Sequence, residues 1–537
     1  MIEYISICTL TNVDDSVKTF FARSNEPCTD VETEGSRVQA REQTDVYTDV
    51  YGECRDRERT RSVREPVGMA SAGKAEKAMQ GRGNMEKRHT MQERNFTQGN
   101  ILQGMLTFSI PYLITCFLQT FYGMADLFIV GQFNGPAQVS AVSVGSQLMH
   151  MLTVVIAGFA MGSTVLIGRC VGSGNRRGVS GAVRTTFAVF AVLSAALTAV
   201  LLLFSKQIIQ ILKVPGEAVP AAEAYTRICF TGVVFITAYN VVSAVFRGLG
   251  DTRRPMYYVA AAGIFNVGLD WLLVGPFGMG AAGAAAATVA SQGISVVIGL
   301  AALKRTHGEA MDKGEGINKE AAGKILGTGV PIALQEGLIQ VSFLVITMIA
   351  NSRGVEVSAA VGIVEKVISF LFLVPGAMLS TVSALSAQNA GAGRHERSRL
   401  VLRYGCMICA GFGAVVFALC QPLAPWILSL FVRQGDNIET VVRLGGQYLR
   451  TYSVDCIFAG IHFCFSGFFS AYGLSGYSFL HNIISILTLR IPGAWIAAVY
   501  FPATLYPMGL AAPLGSLLSV AICLFLYRIG RKTWGLT

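Results

Sequence analysis

Charged side chains are scarce in this 537-residue sequence, where they make up 14% of positions against 52% for apolar side chains. A soluble protein typically has about 25% charged residues. The composition therefore excludes an ordinary soluble globular protein. The formal net charge of +10 does not indicate nucleic-acid binding either, because the basic residues form no compact face interleaved with aromatic residues.

Motifs for nucleotide and metal chemistry are also missing. There is no Walker A pattern, so we expect no ATP-driven pump, and the glycine-rich stretch at 172–178 is better interpreted as a tight turn because no strand precedes it. The twelve cysteines are scattered, and the C-x-x-C pair of Cys406 and Cys409 lacks the second pair that a zinc site needs. We therefore expect packed cysteines, no enzyme activity and no bound cofactor.

The first hundred residues lack any run of ten apolar residues and carry 15 basic and 17 acidic side chains. Such a segment cannot bury enough surface to fold alone. It also lacks the basic and then apolar pattern of a signal peptide. Residues 1–100 are predicted to form a disordered, charged cytoplasmic tail. An alternative is that translation starts at Met85 or Met91, so that the upstream part is not native.

Long apolar runs dominate the rest of the chain. A bilayer core about 30 Å thick needs roughly 20 residues of helix. Cutting the runs at glycine, proline and arginine clusters predicts an all-α polytopic membrane protein with about twelve transmembrane helices. The spans are 104–131, 138–167, 181–204, 222–246, 255–275, 280–303, 324–351, 356–388, 402–431, 446–472, 478–500 and 507–527.

The basic residues of the loops predict an orientation. Alternate loops on one side carry 19 Lys and Arg residues, and the loops on the other side carry about five. Basic loops face the cytoplasm. Together with the even number of spans, this predicts a multi-pass protein of the cell (inner) membrane with both termini in the cytoplasm.

The second half of the membrane region repeats the first at an offset near 220. Pro111 corresponds to Pro331, and Tyr225, Ser243, Phe246 and Gly250 correspond to Tyr448, Ser466, Phe469 and Gly473. We expect a six-helix bundle at 101–303, a cytoplasmic linker at 304–323 and a second bundle at 324–537. Because each half has an even number of spans, a pseudo-two-fold axis along the membrane normal should relate them, with a path between.

Five acidic residues lie inside predicted spans and away from the first two positions of a span, and a charge at such a depth costs about 2.5–3.5 kcal/mol on insertion scales. They are Asp126, Asp270, Glu336, Glu365 and Asp455. Glu365 beside Lys366, and Asp455 near Arg450, are open to interpretation as structural ion pairs. Intramembrane acids otherwise mark an ion or proton pathway.

Asp126 and Asp270 have no cation nearby on their own helices. Gln119 and Tyr122 share a helix face with Asp126, and Asn266 stacks one turn before Asp270. Carboxylate, amide and hydroxyl oxygens suit a hard cation, or a proton shared between the carboxylates. The sequence therefore predicts a site for a hard cation or a proton in the first bundle.

The segments FLQTFYGMADLFIVGQF, VFRGLGDTRRPMYY, FNVGLDWLLV and SAQNAGAGRHERSR resemble those of the multidrug and toxic compound extrusion (MATE) transporters, and the similarity covers about 101–530. The resemblance implies a V-shaped pair of six-helix bundles that exports amphipathic, often cationic, compounds in exchange for Na⁺ or H⁺.

The same resemblance implies roles for individual residues. Asp126, Asn266, Asp270 and Thr288 match the cation site of the family's first lobe. Gln119, Tyr225 and Asn240 match polar positions of the same cavity, to which Tyr122 also belongs, and Pro111 matches the proline at which the first helix bends. The second lobe departs from the pattern, since Glu336, with Gln340 on the same helix, and Asp455 lie about one turn from the expected positions.

These observations predict a monomeric antiporter that exports small molecules across the lipid bilayer by alternating access and binds no nucleic acid. The alternative within the same broad superfamily is a flippase for lipid-linked oligosaccharides. A flippase needs a cationic groove for pyrophosphate, for which Arg450 and Arg490 are the candidates. A membrane scaffold or receptor is a third reading, but it gives no reason for unpaired acids on two helices of one half.

Overall fold

The computed structural model describes residues 96–212, 214–312, 316–431 and 438–533, so the predicted tail lies outside the described residues except for its last five. The described part is helical and contains no strand. Its α-helices are α1 (Ile101–Phe133), α2 (Pro136–Gly172), α3 (Arg176–Leu203), α4 (Ser205–Ile211), α5 (Val219–Thr231), α6 (Val233–Gly248), α7 (Arg253–Val274), α8 (Gly280–Asp312), α9 (Lys319–Asn351), α10 (Val355–Leu371), α11 (Leu373–Gly391), α12 (His395–Ser429), α13 (Ile438–Tyr452), α14 (Asp455–Ala471), α15 (Ser475–Ser485), α16 (Ile491–Tyr500) and α17 (Tyr506–Thr533).

Ten helical segments of the described chain are long and apolar enough to cross a membrane, and the number is twelve when two bent pairs each count as one span. The bent pairs are Gly216–Thr231 with Val233–Gly248, at 46°, and Ile438–Tyr452 with Asp455–Ala471, at 41°. They are the fourth and tenth spans, which the repeat pairs with each other. The predicted fold class and number of spans are therefore confirmed.

The helix α8 is longer than the sixth predicted span, because it continues to Asp312 and takes in nine residues of the proposed linker. The next helix, α9, begins at Lys319, where the side chain of Asn318 accepts a hydrogen bond from the backbone N–H of Glu320 at 2.8 Å. This is an N-cap, which satisfies a free N–H of the first turn. The stretch at 172–178 forms the predicted turn between α2 and α3, with Gly174 at φ 71°.

The two halves contact each other along α2 and α9. A Cβ atom on Gly162 would overlap the backbone of Ile325, and one on Gly329 would overlap the backbone of Phe159. Small residues let membrane helices approach closely where no hydrophobic effect drives their association. The glycines of α2 and α9 therefore set the distance between the two halves.

A second contact joins the halves at the ends that carry the Arg-rich loops. Gly172 lies against the backbone of Gln388, Gly391 lies against the backbone of Arg169, and the Nε of Arg169 donates to the carbonyl of Ala471 at 2.8 Å.

At the opposite ends, hydrogen bonds connect residues of the same half. The backbone N–H of Ala281 donates to Gln138 Oε1 at 2.9 Å, and Arg353 Nη2 donates to the carbonyl of Pro502 at 2.7 Å. The halves are thus joined at the Arg-rich ends.

Candidate ion site in the first half

Three helices of the first half bring the predicted cation ligands together. Asp126 lies on α1, Asn266 and Asp270 lie one turn apart on α7, and Thr288 lies on α8. The side chains of Asp126, Asn266 and Asp270 are buried, with exposed fractions of 3%, 1% and 0%. Because α7 packs against both α1 and α8, these side chains meet in the interior of one bundle.

The polar atoms of this site have few partners. Thr288 Oγ1 donates a hydrogen bond to Asp126 Oδ2 at 2.9 Å, and Asp126 lies close enough to Asp270 and Asn266 to interact with both electrostatically. Within the described part of the chain, five buried atoms find no hydrogen-bond partner: Asp126 Oδ1, both carboxylate oxygens of Asp270 and both amide atoms of Asn266. Unpartnered buried polar atoms are costly, so the site is suited to a ligand.

The chemistry of the ligand follows from these atoms. Among the described residues, no group of three or more histidine, cysteine, aspartate and glutamate side chains is arranged to hold a metal ion. Two carboxylates, an amide oxygen and a hydroxyl oxygen instead suit a small hard cation or a shared proton. Two adjacent carboxylates cannot both stay ionised in a low-dielectric interior without such a ligand.

A narrow cavity adjoins the acid pair. Its polar lining comprises Tyr122, Tyr239, Asn266, Thr288, Ser291, Gln292 and Ser295. Gln292 Nε2 donates to the hydroxyl of Tyr122 at 3.2 Å, and Gln119 Nε2 donates to the hydroxyl of Tyr239 at 2.7 Å. Gln119 and Tyr122 therefore belong to one polar network with the ion site, as their shared helix face predicts.

The sequence reasoning missed four residues of this lining. Ser291, Gln292 and Ser295 follow Thr288 at positions i+3, i+4 and i+7 of α8. This spacing places all of them on one helix face, so the signal was present in the sequence. Tyr239 carries no comparable signal, because its position depends on how α6 packs against the other helices.

Two of the predicted cavity residues lie outside the lining. Asn240 is 5% exposed and its Nδ2 donates to the carbonyl of Ile236 in its own helix at 2.9 Å. Tyr225 is buried against Gly145 of α2 inside a hydrophobic cluster, although it remains within electrostatic range of both acids of the site.

Among the described residues, no hydrogen bond or ion pair joins the polar residues suggested for the second half to one another. Glu336 of α9 faces α2, where its Cγ would lie 3.1 Å from a Cβ on Gly158. Gln340, one turn further along α9, is half-buried. Asp455 is fully buried at the start of α14, and neither of its carboxylate oxygens has a hydrogen-bond partner among the described residues.

Of the two suggested ion pairs, Glu365 and Lys366 interact electrostatically without an ion pair within 4 Å among the described residues, whereas Asp455 and Arg450 do not pair. Arg450 donates from Nε to the carbonyl of Gln421 at 2.8 Å, and the cation near Asp455 is Arg490. Glu365 accepts a hydrogen bond of 3.0 Å from Thr347 Oγ1. The cation expected beside Asp455 is thus on a different span, which could not be read from spacing along one helix.

A family model described as MatE matches the chain twice, at residues 111–272 and 331–496. The two matches coincide with the two halves of the internal repeat. They also confirm the family resemblance that the sequence segments indicated.

Curated relatives match most of the chain. "Probable multidrug resistance protein YpnP" of Bacillus subtilis (strain 168) is 28% identical over 443 residues, which cover 82% of this chain and 98% of the relative. "Probable multidrug resistance protein NorM" of Thermotoga maritima is 27% identical and covers 75% of this chain and 86% of the relative.

Solved structures share the fold. A crystal structure of MATE in complex with MaL6 superposes with a TM-score of 0.76 at 21% identity, covering 83% of this chain and all of the other. An outward-facing conformation of a multidrug resistance MATE family transporter gives the same TM-score and coverage. With more than half of the sequence matched by the family model, the chain belongs to the MatE family of multi-pass membrane transporters.

Proposed function

We propose that this transporter is a secondary active exporter of amphipathic, cationic small molecules, driven by Na⁺ or H⁺ entering in exchange. One observation carries the proposal: the pair of buried acids, Asp126 and Asp270, which have unpartnered oxygens and no basic side chain bonded to them in the described structure. An intramembrane acid pair is costly to keep unless an ion or proton binds there during the working cycle. The relatives named as multidrug resistance proteins support drug export.

The coupling follows from the position of the acids on different helices. Asp126 is on α1, which contains Pro111, whereas Asn266 and Asp270 are on α7. Binding of the ion draws α1 towards α7 and α8, and Pro111 allows α1 to bend because proline removes one helical hydrogen bond. An ion can drive the cycle only if it binds one state more tightly than the other.

Alternating access then requires the contacts between the halves to change ends. In this structure the halves are joined where Gly172 meets Gln388 and Gly391 meets Arg169. The basic loops predict that these ends are cytoplasmic, which makes this arrangement the one open to the outside. The opposite arrangement would separate these glycine contacts and admit substrate from the cytoplasm.

The test is efflux of ethidium from energised membrane vesicles. Asp126→Asn and Asp270→Asn should each nearly abolish efflux, because the amide can neither hold a proton nor offer a second charged oxygen to Na⁺. The matched control is Glu217→Gln, which makes the same chemical change at an exposed position of the same half. Efflux at the wild-type rate in either aspartate variant, with normal protein levels, would overturn the proposal.

The identity of the coupling ion needs a separate experiment, since the same oxygens serve Na⁺ and H⁺. The purified protein is reconstituted in liposomes, and the Na⁺ gradient and the pH gradient are imposed independently. Efflux that follows only the Na⁺ gradient identifies sodium, and efflux that follows only the pH gradient identifies the proton.

The flippase alternative is less well supported by the basic residues. Arg490 is 7% exposed and bonded to the hydroxyl of Tyr452, and Arg450 donates to a backbone carbonyl. Neither side chain is available to line an open groove for a pyrophosphate. Accumulation of lipid-linked precursors on deletion of the protein, without loss of ethidium efflux, would favour the flippase.

A further inference from the structure

Among the described residues of the second half, Arg490 is the one lysine or arginine that is buried in the interior. Its guanidinium donates from Nη2 to the hydroxyl of Tyr452 at 2.8 Å and lies over the ring of Phe343, 4.7 Å from the centroid. Only 7% of the residue is exposed. A charge buried at membrane depth needs opposite charge nearby, so the neighbours of Arg490 are informative.

Two acids supply that charge, the half-buried Glu365, which also interacts electrostatically with Lys366, and the buried Asp455. Glu365 of α10 and Asp455 of α14 both interact electrostatically with Arg490, together with the ring hydroxyls of Tyr448 and Tyr452. No ion pair within 4 Å joins Arg490 to either acid in the described structure. The guanidinium is thus within electrostatic range of both carboxylates without an ion pair to either. In the described first half, by contrast, no basic side chain is bonded to Asp126 or Asp270.

The repeat shows how Arg490 reaches this position. Phe246 corresponds to Phe469, and counting the same distance onward pairs Asn266 with Leu489, whose side chain is exposed. However, Ile486–Arg490 is a π-helical turn between α15 and α16. Such a turn inserts one extra residue into a helix. The insertion shifts the pairing by one, so that Arg490 occupies the interior position that Asn266 has in the first half.

The same counting shows what replaces the two acids of the first half. Ile346 corresponds to Asp126, because each follows its helix proline, Pro331 or Pro111, by the same number of residues. Asp270 lies four residues beyond Asn266 and therefore corresponds to Ala494, which lies four residues beyond Arg490. Ile346 and Ala494 are buried in one hydrophobic cluster. The second half therefore has apolar side chains in place of both acids and a cation in place of the amide.

We propose that Arg490 is a permanent internal cation of the second half, held inward by the π-helical turn, which neutralises Asp455 throughout the transport cycle while Lys366 compensates Glu365. The exchanged ion consequently binds in the first half alone. This inference rests on the proposed function, since it concerns where the coupling ion can bind. It makes Arg490 a charge-compensating residue rather than a ligand of the ion or of the substrate.

The test uses the purified full-length chain and the ion dependence of its thermal unfolding, with NaCl compared with choline chloride and pH 6 compared with pH 8. The wild type should show an ion-dependent shift, and the double variant Asp126→Asn/Asp270→Asn should show none, although Glu365 and Asp455 remain. Adding Arg490→Met to that double variant should restore a shift, because the buried carboxylate of Asp455 then lacks its cation. Adding Arg490→Lys instead should restore none, since the charge is kept.

Two results would overturn the proposal. One is that the unfolding midpoint of the double variant Asp126→Asn/Asp270→Asn still shifts with the ion. This result overturns the proposal whether or not adding Glu365→Gln and Asp455→Asn then abolishes the shift. The other is that the double variant with Arg490→Met added folds, but its unfolding midpoint does not shift with the ion. The proposed function is judged separately, by ethidium efflux in the single Asp126→Asn and Asp270→Asn variants.

Arg490→Met should lower the yield of folded protein, because it leaves the buried Asp455 without a cation. The charge-neutral variant Arg490→Met/Glu365→Gln/Asp455→Asn removes that difficulty. It should fold, and its efflux and ion dependence should stay within about twofold of the wild type, the effect expected of uncharged side chains exchanged within one buried cluster. A folded triple variant that loses more than tenfold in efflux would show that these groups take part in transport, and would overturn the proposal.

Discussion

The two halves of the molecule share an architecture and differ in the chemistry of their interiors. In the first half, Asp126 and Asp270 meet at the junction of α1, α7 and α8 with unpartnered oxygens. At the corresponding positions the second half has Ile346 and Ala494, packed in a hydrophobic cluster. Both halves nevertheless keep a bent span of similar angle, 46° in the first and 41° in the second.

This difference separates what the repeat needs for folding from what one half needs for transport. The bends and the glycine contacts occur in both halves because they set how the helices pack. Under the proposed function, the acid pair occurs in one half because unpaired acids lower stability and are kept only where an ion or proton binds. The predictions below test that separation, beginning with the largest expected effect.

Placing the residue of one half at the corresponding position of the other should change thermal stability unequally in the two halves. Ile346→Asp places an unpaired acid in the hydrophobic cluster of the second half and should lower the midpoint of thermal unfolding by about 5 °C or more, given an insertion cost of roughly 2.5–3.5 kcal/mol. Asp126→Ile, in contrast, removes an unpartnered acid and should leave the midpoint unchanged or raise it, while it abolishes efflux. The measurement is thermal unfolding of both purified variants.

Ile346→Asn is the matched control, because asparagine has the shape of aspartate without its charge. It should destabilise the protein less than Ile346→Asp does. Equal unfolding midpoints for the two variants would mean that polarity, rather than charge, is what the second half excludes at this position.

Enlarging either glycine of the contact at the Arg-rich ends should impair efflux to the same extent, whichever half carries the substitution. Gly172→Leu or Gly391→Leu introduces a side chain where a Cβ already overlaps the backbone of the other half. Each should reduce ethidium efflux by about tenfold or more, since overpacking of about 1–3 kcal/mol disfavours the joined arrangement.

Gly411→Leu serves as the control for that experiment. Gly411 is an exposed glycine of α12 and has no atom within 4 Å of an added Cβ. Its leucine variant should retain wild-type efflux. If Gly172→Leu also did so, the contact between Gly172 and Gln388 would not be part of the cycle.

Much of this comparison was accessible from the sequence. Apolar run length predicted twelve spans, and the offset of the repeat predicted two related halves, because both depend on local composition. The grouping of Asp126, Asn266, Asp270 and Thr288 was predicted through family resemblance and agrees with the contacts observed.

Contacts between distant spans were not predictable in the same way. Spacing along one helix suggested Arg450 as the cation near Asp455, whereas the structure brings Arg490 there from the eleventh span. The π-helical turn that reorients Arg490 has no distinctive residue pattern. Likewise Tyr239, rather than its neighbour Asn240, lines the cavity, because the rotation of α6 is fixed by its packing partners.

A hydrogen bond inside the ion site offers a smaller change than loss of an acid. Thr288→Val deletes the hydroxyl that donates to Asp126 at 2.9 Å and should slow efflux by about tenfold, since a hydrogen bond to a charged group contributes about 1.5–3 kcal/mol. Thr288→Ser keeps the hydroxyl and should remain within about threefold of the wild type. Initial rates of ethidium efflux measure both, and an unaffected valine variant would remove Thr288 from the site.

The smallest effect is expected at Glu336, the acid of the second half that faces the first. Its Cγ packs closely against Gly158 of α2, and its carboxyl group has no charged partner in the described structure. Glu336→Gln keeps the shape of the side chain and should change efflux by less than about twofold, as expected of an isosteric substitution outside an ion site. Glu336→Ala also removes the packing, so any additional loss in that variant reports the contact with α2 rather than the charge. A folded glutamine variant that lost tenfold in efflux would place a second coupling acid in the second half. Both halves would then contain a coupling acid, and they would differ only in where that acid lies.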